Sequence, residues 1–206
     1  MTRSKLLVGT LALAAACGAA NAQITNSAHD FSSYAWSGGE ICRPCHTPHF
    51  ANVEAGRLWN HTLSTATYTL FEGEAGTSAD LDRESRLCMS CHDGTVALDS
   101  FGGTTGTNFI NGGASVGTDL TNDHPIGKDA IYPTTTSTRF NPQNAEHRVV
   151  SAWGSLRLKE WVDSAGASQY VVGCRTCHNV HNAGNFSHML YFSNASSHLC
   201  LTCHIK

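Results

Sequence analysis

Apolar residues in this chain come in short, broken runs. The one sustained stretch, Leu6 to Ala16, follows Arg3 and Lys5 and precedes the small-residue segment Ala20-Asn21-Ala22. That order of charge, apolar run and small residues predicts a secretory signal peptide over residues 1–22, with the mature chain starting at Gln23. The run is shorter than the ~20 apolar residues that cross a bilayer, and no later segment approaches that length, so no transmembrane segment is expected in the mature chain. Further on, Arg148 to Trp153 and Leu156 to Val162 alternate apolar and polar positions. Asp163 to Ser168 then leads to Gln169-Tyr170-Val171-Val172, which predicts a small β-hairpin. Gly102 to Thr121 and Pro133 to Thr138 are rich in Gly, Thr, Ser and Asn and read as loops. The resulting fold class is mainly coil with short α-helices and a small β-hairpin.

Four copies of Cys-x-x-Cys-His punctuate this pattern, at Cys42/Cys45/His46, Cys88/Cys91/His92, Cys174/Cys177/His178 and Cys200/Cys203/His204. The spacing attaches c-type haem: two thiols form thioether bonds and the adjoining histidine becomes the proximal iron ligand. Four copies predict four covalently bound haem c groups. A zinc ribbon requires no histidine directly after its second cysteine, and a disulfide framework explains neither spacing nor histidines. Of nine cysteines, only Cys17 stands outside the motifs, and it falls within the predicted signal. Ala14-Ala15-Ala16-Cys17 also resembles a lipoprotein cleavage site, which makes lipidation of Cys17 the alternative to ordinary cleavage.

The motifs alternate in kind. Cys42-Arg-Pro-Cys-His-Thr-Pro-His49 matches Cys174-Arg-Thr-Cys-His-Asn-Val-His181, and Ser85-Arg-Leu-Cys-Met-Ser-Cys-His92 matches Ser197-His-Leu-Cys-Leu-Thr-Cys-His204. This A, B, A, B order suggests a single tetrahaem domain over 23–206 made from a duplicated two-haem unit, 23–100 and 140–206, with a loop-rich insert at 101–139. The motif starts are 46, 86 and 26 residues apart, so the last two haems should be close neighbours. With 8% aromatic residues and many Gly, Ser, Thr and Asn, so polar a chain has little apolar side chain with which to offset its conformational entropy. The porphyrins are expected to supply the core. A net charge of −3 argues against a nucleic-acid partner.

Twelve histidines are present, and His46, His92, His178 and His204 are the proximal ligands. Eight remain for four distal positions, which predicts bis-histidine haems. The axial nitrogens of one iron stand ~4 Å apart across the porphyrin, so a histidine three residues past a proximal one cannot close the same iron. His49 and His181 stand in that relation and should ligate a different haem. His61, in Leu58-Trp59-Asn60-His61, and His124, in Asp123-His124-Pro125, complete the expected distal set. His29 is a fifth candidate, while His147, His188 and His198 read as surface or structural residues.

Together with His29-Asp-Phe-Ser, Leu-Trp-Asn-His61-Thr and Asn-Asp-His124-Pro-Ile-Gly, these motifs resemble the filament-forming extracellular multihaem c-type cytochromes, the OmcE-like tetrahaem type related to the hexahaem OmcS. The resemblance spreads over most of the mature chain, the loop from Phe101 to Leu120 adding nothing specific to it. It implies a fold built around a stack of four bis-histidine haems and a head-to-tail homopolymer that passes electrons to extracellular acceptors or other redox proteins. It also implies a distal histidine donated across the subunit boundary, a role that falls on His49.

An electron conduit, not an enzyme, is therefore expected, secreted to the extracellular side or cell surface. A soluble periplasmic shuttle is the alternative. A multihaem reductase needs an open iron, whereas this chain has more distal histidines than it needs. A quinol-oxidising membrane tetrahaem protein needs a retained anchor. Methionine ligation has little scope, because the predicted mature chain holds only Met89 and Met189.

Overall fold

The computed structural model describes residues 23–135 and 137–206; the predicted signal peptide and Cys17 lie outside them. Most of these residues are in turns and irregular backbone. Regular structure amounts to three two-stranded antiparallel ribbons and three short helices. In chain order they are β1 (Thr67–Thr69), β2 (Ala75–Thr77), α1 (Arg83–His92), β3 (Arg148–Ser151), β4 (Gly154–Arg157), β5 (Lys159–Val162), β6 (Ser168–Val171), α2 (Cys174–Cys177) and α3 (His198–Cys203). Among the described residues, no helix is long and apolar enough to cross a membrane.

The predicted hairpin is β5–β6, paired from Lys159↔Val171 to Val162↔Ser168. Asp163 closes its turn by accepting from the amides of Ala165 and Ala167, both at 2.9 Å, while Gly166 takes the left-handed conformation that favours glycine. The alternating segment before it makes a ribbon of its own, β3–β4, with Val149 opposite Leu156, both buried. The short β1–β2 ribbon, Thr67-Tyr68-Thr69 against Ala75-Gly76-Thr77, had no alternating run to announce it.

α1 is the longest helix and is capped at both ends. Asp82 accepts from the Ser85 amide at 3.1 Å at its N-terminus, satisfying a free helix donor. At its other end buried Asp93 accepts from the Tyr68 hydroxyl at 2.9 Å and from Ser64 and Thr95, tying β1 to the helix terminus that carries His92. Burial pushes the Tyr68 phenol up to about 12, so it remains a donor. The Ser85 hydroxyl both donates to Asp82 at 2.5 Å and accepts from the Cys174 amide at 2.9 Å, joining α1 to α2. Gly173 permits this approach: a Cβ there would lie 2.1 Å from Asp82 Oδ2.

Apolar packing is divided. Tyr68, Leu70, Leu81, Met89 and Leu120 form one buried cluster, Ala55, Trp59 and Leu87 a second, and Tyr132, Val149 and Leu158 a third. Motif residues take part in each: Met89 lies within the first cluster, Cys45 packs on the second and Cys203 on the third. The protein's own side chains thus make three small cores beside the cysteine motifs.

Candidate haem sites

Each motif is one helical turn. The amides of His46, His178 and His204 donate to the carbonyls of Cys42, Cys174 and Cys200 at 2.8, 3.1 and 2.9 Å, and the second motif ends α1. Residues three apart on such a turn share a face, so both thiols of a motif point the same way. All eight described cysteines are free thiols. Burial pushes Cys45 up to about 11 and Cys91 and Cys177 up to about 12. Among the described residues no three His, Cys, Asp or Glu side chains converge to hold a metal ion.

Three of the four motif histidines are held by backbone. Nδ1 of His46, His92 and His178 donates to the carbonyls of Arg57, Ala114 and His188 at 2.8, 2.7 and 2.8 Å. A carbonyl only accepts, so the proton sits on Nδ1 and the Nε2 lone pair stays free, as a metal-ligating histidine requires. His124 is prepared in the same way, its Nδ1 donating to the Pro125 carbonyl at 2.9 Å.

Two imidazoles bound to opposite faces of one metal have ring centres roughly 6 Å apart, from roughly 2 Å per metal–nitrogen bond and roughly 1 Å more to each ring centre. Three proximal histidines face a second imidazole at this separation. His92 faces His29 at 6.0 Å, His46 faces His181 at 6.3 Å and His204 faces His124 at 6.3 Å. Burial and the neighbouring His92 lower His29 to about 4. Burial, then His46, lowers His181, and burial, then His124, lowers His204. All three rings are thereby kept neutral, the form that coordinates iron. The donor set fits haem c, with paired thiols beside a histidine pair.

Two of the expected distal histidines are placed differently. His61 is buried, with Nδ1 2.8 Å from the Thr62 carbonyl, Nε2 3.0 Å from the Ala97 carbonyl and 3.5 Å from Cys91 Sγ. Both nitrogens are turned to backbone, and the ring packs on a motif thiol. The histidine that lies beside His92 is the fifth candidate, His29. His49 is exposed and faces no other histidine ring at this separation among the described residues, nor does His178. Of the three set aside, His147 stacks on Tyr170 at 3.2 Å and His198 on Trp153 at 4.6 Å, while His188 contributes the carbonyl that holds His178.

That carbonyl belongs to a feature the motifs did not reveal. Arg57-Leu58 and His188-Met189 are both consecutive left-handed pairs, with φ between 55° and 57°. After each, the chain runs back along its A-type motif: Thr47 and Asn179 donate to Leu58 and Met189, and Asn60 and Tyr191 to Cys45 and Cys177. The B-type motifs also agree, since the buried Ser90 and Thr202 hydroxyls donate to the carbonyls four residues earlier, each at 2.9 Å.

The motifs also abut one another. Cys88 and Cys174 lie close together across the α1–α2 contact, a proximity that raises the first thiol and lowers the second. Cys91 lies within electrostatic reach of Cys45, and Cys177 within reach of Cys203. Cavities of about 950, 200 and 240 Å³ open beside the first, third and fourth motifs.

Residues 169–206, covering the last two motifs, match the family model for the doubled CXXCH motif. No curated protein matches the chain significantly. Paired CXXCH is a signature of covalently bound haem c in electron-transferring proteins, so the region from β6 to the C-terminal α3 is of the multihaem c-type cytochrome kind.

Proposed function

We propose that this chain carries four haems, all closed by two histidines, and works as an extracellular electron conduit that polymerises head to tail. The observation that carries the reading is the set of histidine pairs at 6.0–6.3 Å, each joining a motif histidine to one distant in sequence. On this reading the distal ligands are His29, His181 and His124 for the second, first and fourth motifs. The haem supplies one-electron Fe(III)/Fe(II) exchange. The residues hold the rings neutral and aimed through backbone carbonyls, would close the bound iron to substrates through the paired histidines, and bring neighbouring motifs together as electron exchange between their haems would require. No catalytic group is assigned.

Polymerisation is supported by what is left over. Among the described residues His178 is prepared at Nδ1 but has no imidazole at the paired separation, while the exposed His49 is followed along the chain by Phe50, 105% exposed, Val53, 91% exposed, and the exposed Leu58. An apolar patch around a histidine without a partner fits a contact between copies, with His49 closing the haem on His178 of the next molecule. Such a heterologous contact generates an open polymer, since the donating and accepting surfaces differ.

Pyridine haemochrome quantification and near-infrared magnetic circular dichroism test the reading. Four haems per chain are expected, with three low-spin bis-histidine haems in dissociated monomers and four in the assembled material. Two haems per chain, or tight cyanide binding by assembled material, would refute it.

A further inference from the structure

A cleft of about 780 Å³ lies between the N-terminal end of α1 and the β4–β5 region, and none of the motif cysteines or histidines lines it. Arg83, Arg86, Arg148, Arg157, Lys159 and Arg175 do. This concentrates basic side chains in one place on a chain whose net charge is −3. Four acids line it as well: Glu84 pairs with Arg57, itself a lining residue, at 3.1 Å, Asp82 is bound by Ser85, Glu160 accepts from Ser168 at 2.6 Å, and Glu146 makes no ion pair with the described residues, so the basic side chains remain in excess. Among the described residues, none of the six cations has a carboxylate within 4.0 Å.

Two of these groups sit deepest. Lys159 is 7% exposed and lines the cleft, with Glu84 and Asp82 within electrostatic reach. Arg175 Nε is buried with no acceptor. A buried cation left unpaired is costly, and the usual remedy is an anion that supplies both charge and acceptor oxygens. Burial, then Arg175, lowers the pKa of Lys159, and Glu84 and Asp82 offset this only in part. The cleft is of small-ligand size. Guanidinium groups bind tetrahedral oxyanions in bidentate fashion, and several around one space select multivalent charge.

We propose that this cleft is a binding site for a small multivalent oxyanion of the phosphate type taken from solution, with Lys159 and Arg175 at its buried end and Arg157 at its exposed rim. No motif cysteine or histidine lines the cleft, but Arg175 stands between Cys174 and Cys177 of the third motif, so haem content is measured beside binding.

The test is isothermal titration of the intact, haem-loaded protein with pyrophosphate at low ionic strength, haem content being measured on the same sample. Saturable 1:1 binding is expected, weakened at least tenfold by Lys159→Met and also by Arg157→Gln. Arg157 is exposed, so its replacement leaves the fold intact, and unchanged haem content in both variants keeps the comparison valid. No binding by the native protein would overturn the proposal, as would equal binding by native protein and both variants. A structure of the holoprotein with the haems' own propionates filling the cleft would overturn it too.

Discussion

Residues 42–61 and residues 174–192 follow one course: a Cys-x-x-Cys-His turn, a second histidine three residues on, a left-handed pair, and a return along the motif. Their second histidines nevertheless end in opposite surroundings. His181 lies 6.3 Å from His46, whereas His49 stands exposed among Phe50, Val53 and Leu58. The second segment is anchored, through Gly173 and the Cys174 amide, on the N-cap of α1; the position before the first motif is Ile41. The same local unit can therefore serve inside a molecule or between molecules, and the difference lies in what it is docked against.

Replacing the two histidines should separate these uses most sharply. His181→Ala is expected to leave the first-motif haem with one protein ligand in isolated monomers, raising the high-spin fraction from about one haem in four, the open His178 haem of the native monomer, to about two in four by magnetic circular dichroism. His49→Ala should leave monomer spectra unchanged and abolish filaments in negative-stain micrographs. Identical spectra for the two variants would erase the distinction.

A smaller effect is expected at the anchor. Gly173→Ala drives a methyl group into Asp82 and Ser85, and overpacking of this kind costs about 1–3 kcal/mol. The melting temperature should fall, while Ile41→Ala, at the equivalent position, should change it less. Smaller still are the left-handed pairs. Arg57→Gly and His188→Gly relieve a conformation that costs an L-residue about 1–2 kcal/mol, partly offset by the added freedom of glycine in the unfolded chain. Both should be neutral to stabilising by less than ~1 kcal/mol in thermal melts, by similar amounts, since the Arg57–Glu84 pair is largely solvent-exposed and contributes little.

The sequence made local features legible and long-range ones much less so. Cys-x-x-Cys-His needs only one turn of chain to do its chemistry, and Asp163-Ser-Ala-Gly between alternating strands identifies β5–β6. His124 was readable because the neighbouring Pro125 supplies the carbonyl that sets its tautomer. His61 misled for a physical reason: apolar neighbours mark burial, and it is buried, but against Cys91 and two carbonyls. His29 carries no local sign of its role because its partner, His92, lies far along the chain. The left-handed pairs were hidden because Arg, Leu, His and Met seldom adopt that conformation, and only the return of the chain along its motif requires it.

The central claim is the pairing of histidines, and a cryo-electron-microscopy reconstruction of the native holoprotein, at a resolution that shows axial ligands, tests it most directly. The expected result is iron bound between His92 and His29, between His46 and His181, and between His204 and His124 of one chain, with His178 closed by His49 of its neighbour. Iron bonded to His61, or a His178 haem closed within its own chain, would contradict it.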